Sequence, residues 1–186
     1  MDEELLAHLR KQADDRRKHA SFFAWYDRSA DGKAIAETGV VRTLLESMTD
    51  AREQQYSQPR ASGEQWPDCW AISSSGSDTP FEVSELVDAS ALPAGQDRPW
   101  TADQIRNSLQ GIINKKDLRS LSRPGSRNTV LVIHTDEMYL NVPTVTAALA
   151  DHRFVLHHGS IGRAFLLFSY DPRSQGYPYI ELQLAA

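Results

Sequence analysis

The chain has one cysteine in 186 residues, Cys69. A single thiol excludes an internal disulfide framework and a cysteine-built zinc site, so the fold must rest on packing alone. No apolar run approaches the roughly 18 residues that a spanning helix needs. The first twenty residues, MDEELLAHLRKQADDRRKHA, are too charged for a signal peptide. Together these point to a cytoplasmic protein without a membrane partner. There is no internal repeat and no low-complexity tract. Gly-x-x-x-x-Gly-Lys-Ser/Thr is missing, which removes the usual phosphate loop, and so is the Gly-x-Ser-x-Gly elbow of serine hydrolases. His152, His157 and His158 lack the i, i+4 spacing of a helical zinc site.

What the chain does contain is 40% apolar and 24% charged residues, enough for one soluble domain over 1–186 and too little for two full cores. The net charge of −5 argues against broad, non-specific attraction to nucleic acid, but the charge is unevenly spread. Residues 61–104 hold eight acids against Arg98, whereas residues 105–128 hold six bases against Asp117. An acidic segment followed at once by a basic one suits a cation site beside a phosphate-binding rim. It equally suits two surfaces that neutralise each other.

The periodicity predicts a first helix of about 25 residues, a helical N-terminal extension over 1–31, broken at Asp31-Gly32. A second helix follows over 33–51, with Val41, Leu44, Leu45 and Met48 at helical spacing. Residues 53–67 show no periodicity and read as a loop. DCWAIS and PFEVSELVD read as an antiparallel hairpin around SSGSD. Thr101-Ala102-Asp103-Gln104 has the form of a capping box opening a helix to about Leu118, with Ile105, Leu109, Ile112 and Ile113 inward. RSLSRPGSRN is a basic loop. TVLVIHT is apolar enough for a central strand buried on both faces. Asn141 and Pro143 start a short helix, and RAFLLFSY and YPYIELQL close the chain as strands. The fold class is therefore α/β (α+β), a central mixed sheet flanked by helices.

Four charges occupy positions where an apolar residue is expected. Glu37 continues the inner line of the second helix, Asp68 opens a strand after Pro67, Glu82 lies on the polar face of the paired strand, and Lys116 continues the inner line of the next helix. Buried charges are rare unless paired or metal-bound. If the elements converge, three carboxylates and an ammonium meet. Hard oxygen donors of that kind suit Mg²⁺ or Mn²⁺, which keep waters and engage a substrate phosphate. The alternatives are structural: Glu37 complementing its helix dipole, Asp68 as a strand-opening residue, and Glu82–Lys116 as a plain ion pair. Glu85 points away from Glu82 and is expected at the surface or an edge. His134 with Asp136 stands at the end of the central strand, where a hydrogen-bonded structural histidine is the commoner case. Trp66, Trp70 and Trp100 read mainly as packing.

The order Glu37 on a helix, Pro67-Asp68 at one strand, Glu82-Val83-Ser84 in the next, then a helix with Lys115-Lys116 and an apolar strand, resembles the PD-(D/E)xK nuclease-like superfamily. The likeness covers about residues 33–135, leaving 136–186 as decoration on the core. It implies a restriction-endonuclease-like core of helix, three strands, helix and strand. It also implies a Mg²⁺-dependent phosphodiesterase site and nucleic acid as substrate. Glu37, Asp68 and Glu82 would hold the metal. The motif's lysine should stand two residues after the strand acid, where this chain has Ser84. Some relatives carry it on the following helix, which makes Lys116, with Lys115 second, the candidate. Two other functions follow from the same residues: a nuclease-like fold that has lost catalysis and binds a protein partner or a second copy, and hydrolysis of a small phosphorylated molecule. The aromatic-rich segments Phe22–Tyr26 and Tyr177–Tyr179 would pair subunits or complete the core.

Overall fold

A computed structural model of the chain describes residues 30–64, 66–87, 99–120, 128–137 and 139–185. The first predicted helix, segment Phe22–Tyr26 and most of the basic loop (121–127) lie outside the described residues. Helix α1 (Ala30–Asp50) is followed by strands β1 (Tyr56–Ala61), β2 (Cys69–Ser73) and β3 (Asp78–Glu85), helix α2 (Ala102–Ser120) and strand β4 (Thr129–Thr135). Helix α3 (Val142–Leu149), β5 (Phe154–Val155), β6 (Ile161–Phe168), β7 (Tyr179–Glu181) and β8 (Leu184–Ala185) complete the order.

Six strands form one mixed sheet in the order β1-β2-β3-β4-β6-β7, and β5 pairs with β8 in a separate parallel ribbon. β1, β2 and β3 are antiparallel neighbours, while β3, β4 and β6 run parallel. β4 is central as expected, because Val130–Ile133 have side chains that fill both faces without a polar interruption. On one face Val40, Val41, Leu44, Leu45 and Met48 of α1 pack over Cys69, Ala71, Phe81, Val83, Val130, Val132, Phe165 and Leu167. On the other, Ile105, Leu109 and Ile113 of α2 join Leu131, Ile133, Ala164 and Leu166. Residues beyond 135 thus supply an inner strand and a share of both cores.

The capping box is present: Thr101 N–H donates to Gln104 Oε1 (2.9 Å) and Gln104 N–H donates to Thr101 Oγ1 (3.2 Å). Asn141 caps α3 through the Thr144 N–H (3.0 Å), with Pro143 in the first turn.

Three sequence expectations require correction. Asp31-Gly32 does not break the chain, since α1 runs through both residues; a glycine in the first turn lowers helix propensity without ending the helix. Residues 53–67 are not a continuous loop, because they contain β1. That strand lacks alternation for a physical reason: it is an edge strand with Pro59, a left-handed Gln58 (φ 51°) and a register shift between Ser57 and Arg60. Finally, YPYIELQL divides between two sheets, β7 in the main one and β8 against β5.

Candidate functional site

The hairpin register sets Cys69 opposite Phe81, so Asp68, one residue before β2, comes level with Glu82. Because side chains alternate along β3, Phe81 and Val83 enter the α1 side while Glu82 turns toward α2. The Asp68 carboxylate is fixed by the Val83 N–H, which donates to Oδ2 at 2.8 Å. Lys116 descends from α2 one turn beyond Ile112 and is only 8% exposed. Its Nζ donates to Glu82 Oε2 at 2.5 Å and lies 3.4 Å from Asp68 Oδ2. Glu82 is 5% exposed. Lys116 therefore bridges two nearly buried carboxylates delivered by adjacent strands. Lys115, the second lysine candidate, is exposed and one helical step away from this line.

Glu37 stands beside the group. Its Oε1 is paired with Lys33 Nζ at 3.3 Å. Burial and the negative charge of Asp68 push the Glu37 carboxyl up to about 7, against the opposing pull of Lys33 and Lys116. Glu82 is raised by the same two causes, burial and Asp68, with Lys116 acting the other way. Lys33 is held above its ordinary value chiefly by Glu37. Three carboxylates stand against the ammonium groups of Lys33 and Lys116, and the Arg119 guanidinium also pulls Glu82 downward. Among the described residues no group of three or more His, Cys, Asp or Glu side chains is disposed to hold a metal ion. The three-acid set implied by the resemblance reduces here to the pair Asp68–Glu82, with Glu37 next to it.

The other candidates lie elsewhere. Glu85 is half-buried rather than exposed; burial, Asp136 and Glu137 push its carboxyl up to about 8. His134 is the register partner of Glu85, whereas Glu82 faces Leu131. Three residues along a strand separate them by about 10 Å. Burial lowers the His134 imidazole to about 4, which keeps it neutral. Cys69 is fully buried and raised to about 11 by that burial, so it is a packed thiol and not a nucleophile. Trp66 and Trp70 meet edge to face, with centroids 6.3 Å apart, and Trp100 packs against the α2-side core.

One buried charge escaped the sequence reading. Asp117 has no exposed surface. Its Oδ2 accepts from the N–H groups of His157 (2.9 Å) and His158 (2.8 Å), and its Oδ1 accepts from the Ser160 N–H (2.9 Å) and Oγ (2.7 Å). Burial works to raise this carboxyl, but the hydrogen bonds from Ser160, His158 and His157 outweigh it and hold it below its ordinary value. The signal was available: Asp117 continues the i, i+4 row Ile105, Leu109, Ile113.

Comparisons of the chain with protein-family models, with curated proteins and with solved structures give no match. No helix among the described residues is long and apolar enough to cross a membrane.

Proposed function

We propose that the protein is a metal-dependent phosphodiesterase acting on nucleic acid, built on a restriction-endonuclease-like core. The observation that carries this reading is Lys116 Nζ lying 2.5 Å from Glu82 and 3.4 Å from Asp68. Acids from two adjacent strands and an amine from the following helix meet at one point, as the resemblance implies for a chain with Ser84 in the motif position. The order from Ala30 to Thr135, helix, three strands, helix, strand, supports it as well.

The donor chemistry fits a small hard cation. Mg²⁺ is commonly bound through one or two carboxylates, with waters and a substrate phosphate completing the octahedron. Asp68 and Glu82 each give one oxygen to Lys116, and each has a second oxygen with which to hold the ion. When bound, Mg²⁺ or Mn²⁺ would supply polarisation of the phosphodiester and a lower pKa for the attacking water. Lys116 stabilises negative charge developing on the phosphate oxygens, at a site where burial strengthens that interaction. Glu37, raised to about 7, exchanges a proton near neutral pH and balances the charge of the group as substrate enters.

The test is cleavage of plasmid, single-stranded DNA and RNA in Mg²⁺ or Mn²⁺, with Asp68→Ala as control. Cleavage that needs the metal and falls by at least about a hundredfold in the variant is expected, a loss of about 2.7 kcal/mol of transition-state stabilisation. No metal-dependent cleavage of any substrate overturns the reading. One observation favours a second reading, a nuclease-like fold retained for binding: Ser84 replaces the motif lysine, and Lys116 is already paired. That reading predicts neither cleavage nor Mn²⁺ binding.

A further inference from the structure

Lys116 sits four residues before the end of α2 at Ser120, in the part of a helix that frays most readily. A lysine side chain loses up to about 2 kcal/mol of rotamer entropy when held in one place. Keeping its ammonium between two carboxylates therefore requires that this last turn be held in one position and one rotation.

The next residue provides the hold. Asp117 points about 100° further round the helix and accepts the four hydrogen bonds from segment 157–160 described above. Gly159 turns that segment in a left-handed conformation (φ 66°), which lets successive N–H groups converge on one carboxylate. Ser160 then passes the connection on: its carbonyl accepts from the N–H of Thr129, the first residue of β4 (3.1 Å). β4 in turn pairs with β3 in the register that sets Leu131 opposite Glu82. The path closes on itself, from Glu82 through β3, β4, Ser160, Asp117 and Lys116 back to Glu82.

We infer that Asp117, with Ser160, is a positioning residue for the site: it fixes the last turn of α2 relative to β3 and so holds Lys116 between Asp68 and Glu82. The inference rests on the reading of Lys116 as a working part of a phosphodiesterase site, but its geometric half can be tested separately. The carboxylate's hydrogen bonds all run to segment 157–160, and it acts on the site through the backbone it shares with Lys116.

The experiment uses the full chain labelled with ¹⁵N-lysine. A buried, ion-paired ammonium exchanges slowly enough to give a side-chain cross-peak, assigned to Lys116 by its loss in Lys116→Arg. The peak should be present in the wild type, disappear in Asp117→Asn while the backbone spectrum stays folded, and weaken in Ser160→Ala. In the cleavage assay, Asp117→Asn should lower kcat about tenfold or more with KM changed less than about threefold. A purely structural Asp117 would leave the ammonium peak in place in every folded variant. The inference is overturned by a wild type without the peak, or by a peak unchanged in folded Asp117→Asn. If that variant does not fold, an unchanged peak in Ser160→Ala overturns it. Absence of cleavage by the wild type would count against the phosphodiesterase reading and leave the ammonium measurement to decide the positioning.

Discussion

Lys116 and Asp117 are consecutive residues of one helix, both buried, and their surroundings deal with buried charge in opposite ways. Around Asp117 every requirement is met: four donors address two oxygens, and the carboxyl is held below its ordinary value. Around Lys116 the requirements conflict. One ammonium serves two acids, and Glu37 and Glu82 are both driven upward by burial and by Asp68. Buried polar groups in a folded protein are normally satisfied, and a satisfied cluster such as that of Asp117 holds the elements it joins in one position. A cluster whose buried carboxyls are driven upward is a place where the fold gives up stability, and such places are functional candidates. Glu85 is another instance of the second kind, raised to about 8 by burial and the neighbouring Asp136 and Glu137.

The sharpest way to break this comparison is to remove its hinge. Lys116→Met leaves Asp68 and Glu82 without the ammonium that bridges them, and should destabilise the protein by about 3–5 kcal/mol at pH 8. Denaturant unfolding at pH 8 and pH 4.5 should show a smaller loss at pH 4.5, the ordinary value above which the Glu82 carboxyl is raised. An equal loss at both would mean that the conflict is not electrostatic.

Asp117→Asn should cost about 2–3 kcal/mol, since it replaces an ionised acceptor of several hydrogen bonds. Here the pH dependence sets in lower. A carboxyl held low contributes stability above its unfolded value of 3.8 and loses that contribution as pH falls through the folded value. The cost of the substitution should therefore be the same at pH 5 and pH 8 and shrink below pH 3.8. Unfolding curves at three pH values check it.

Glu37→Gln sharpens the comparison from the other side, because it should stabilise. Between 4.5 and about 7 the folded chain binds more protons at Glu37 than the unfolded chain does, so stability falls as pH rises through that window. The variant escapes this, gaining up to about 3 kcal/mol at pH 8 and nothing at pH 4. A thermal-unfolding series across that range measures the difference. The smallest effect belongs to a control remote from both clusters: Thr101→Ala removes the α2 cap and should cost about 1 kcal/mol, equally at pH 5 and pH 8.

Much of this arrangement was legible in the residues themselves. The β2–β3 hairpin, the central β4, the capped α2 and the inward placement of Lys116 all follow from periodicity and turn chemistry, because each is set by neighbours close in sequence. β1 was not legible, since a proline, a left-handed residue and a bulge erase the alternation that would announce it. The division of the last segment between β7 and β8 depends on a distant partner, β5, and no local pattern encodes that. The meeting of Asp68, Glu82 and Lys116 follows from strand alternation and the helical row, whereas the pairing of Glu37 with Lys33 and the half-burial of Glu85 do not. Asp117 was passed over because it was counted as the lone acid of a basic stretch, although its place in the Ile105, Leu109, Ile113 row marks it as inward.

The claim on which all this turns is that the Asp68–Glu82 carboxylate pair is a seat for a divalent cation. Calorimetric titration of Mn²⁺ into the full chain at neutral pH tests it most directly. The account predicts a saturable binding heat that disappears in Glu82→Ala and persists in Thr101→Ala. No heat in the wild type, or the same heat in wild type and Glu82→Ala, would contradict it.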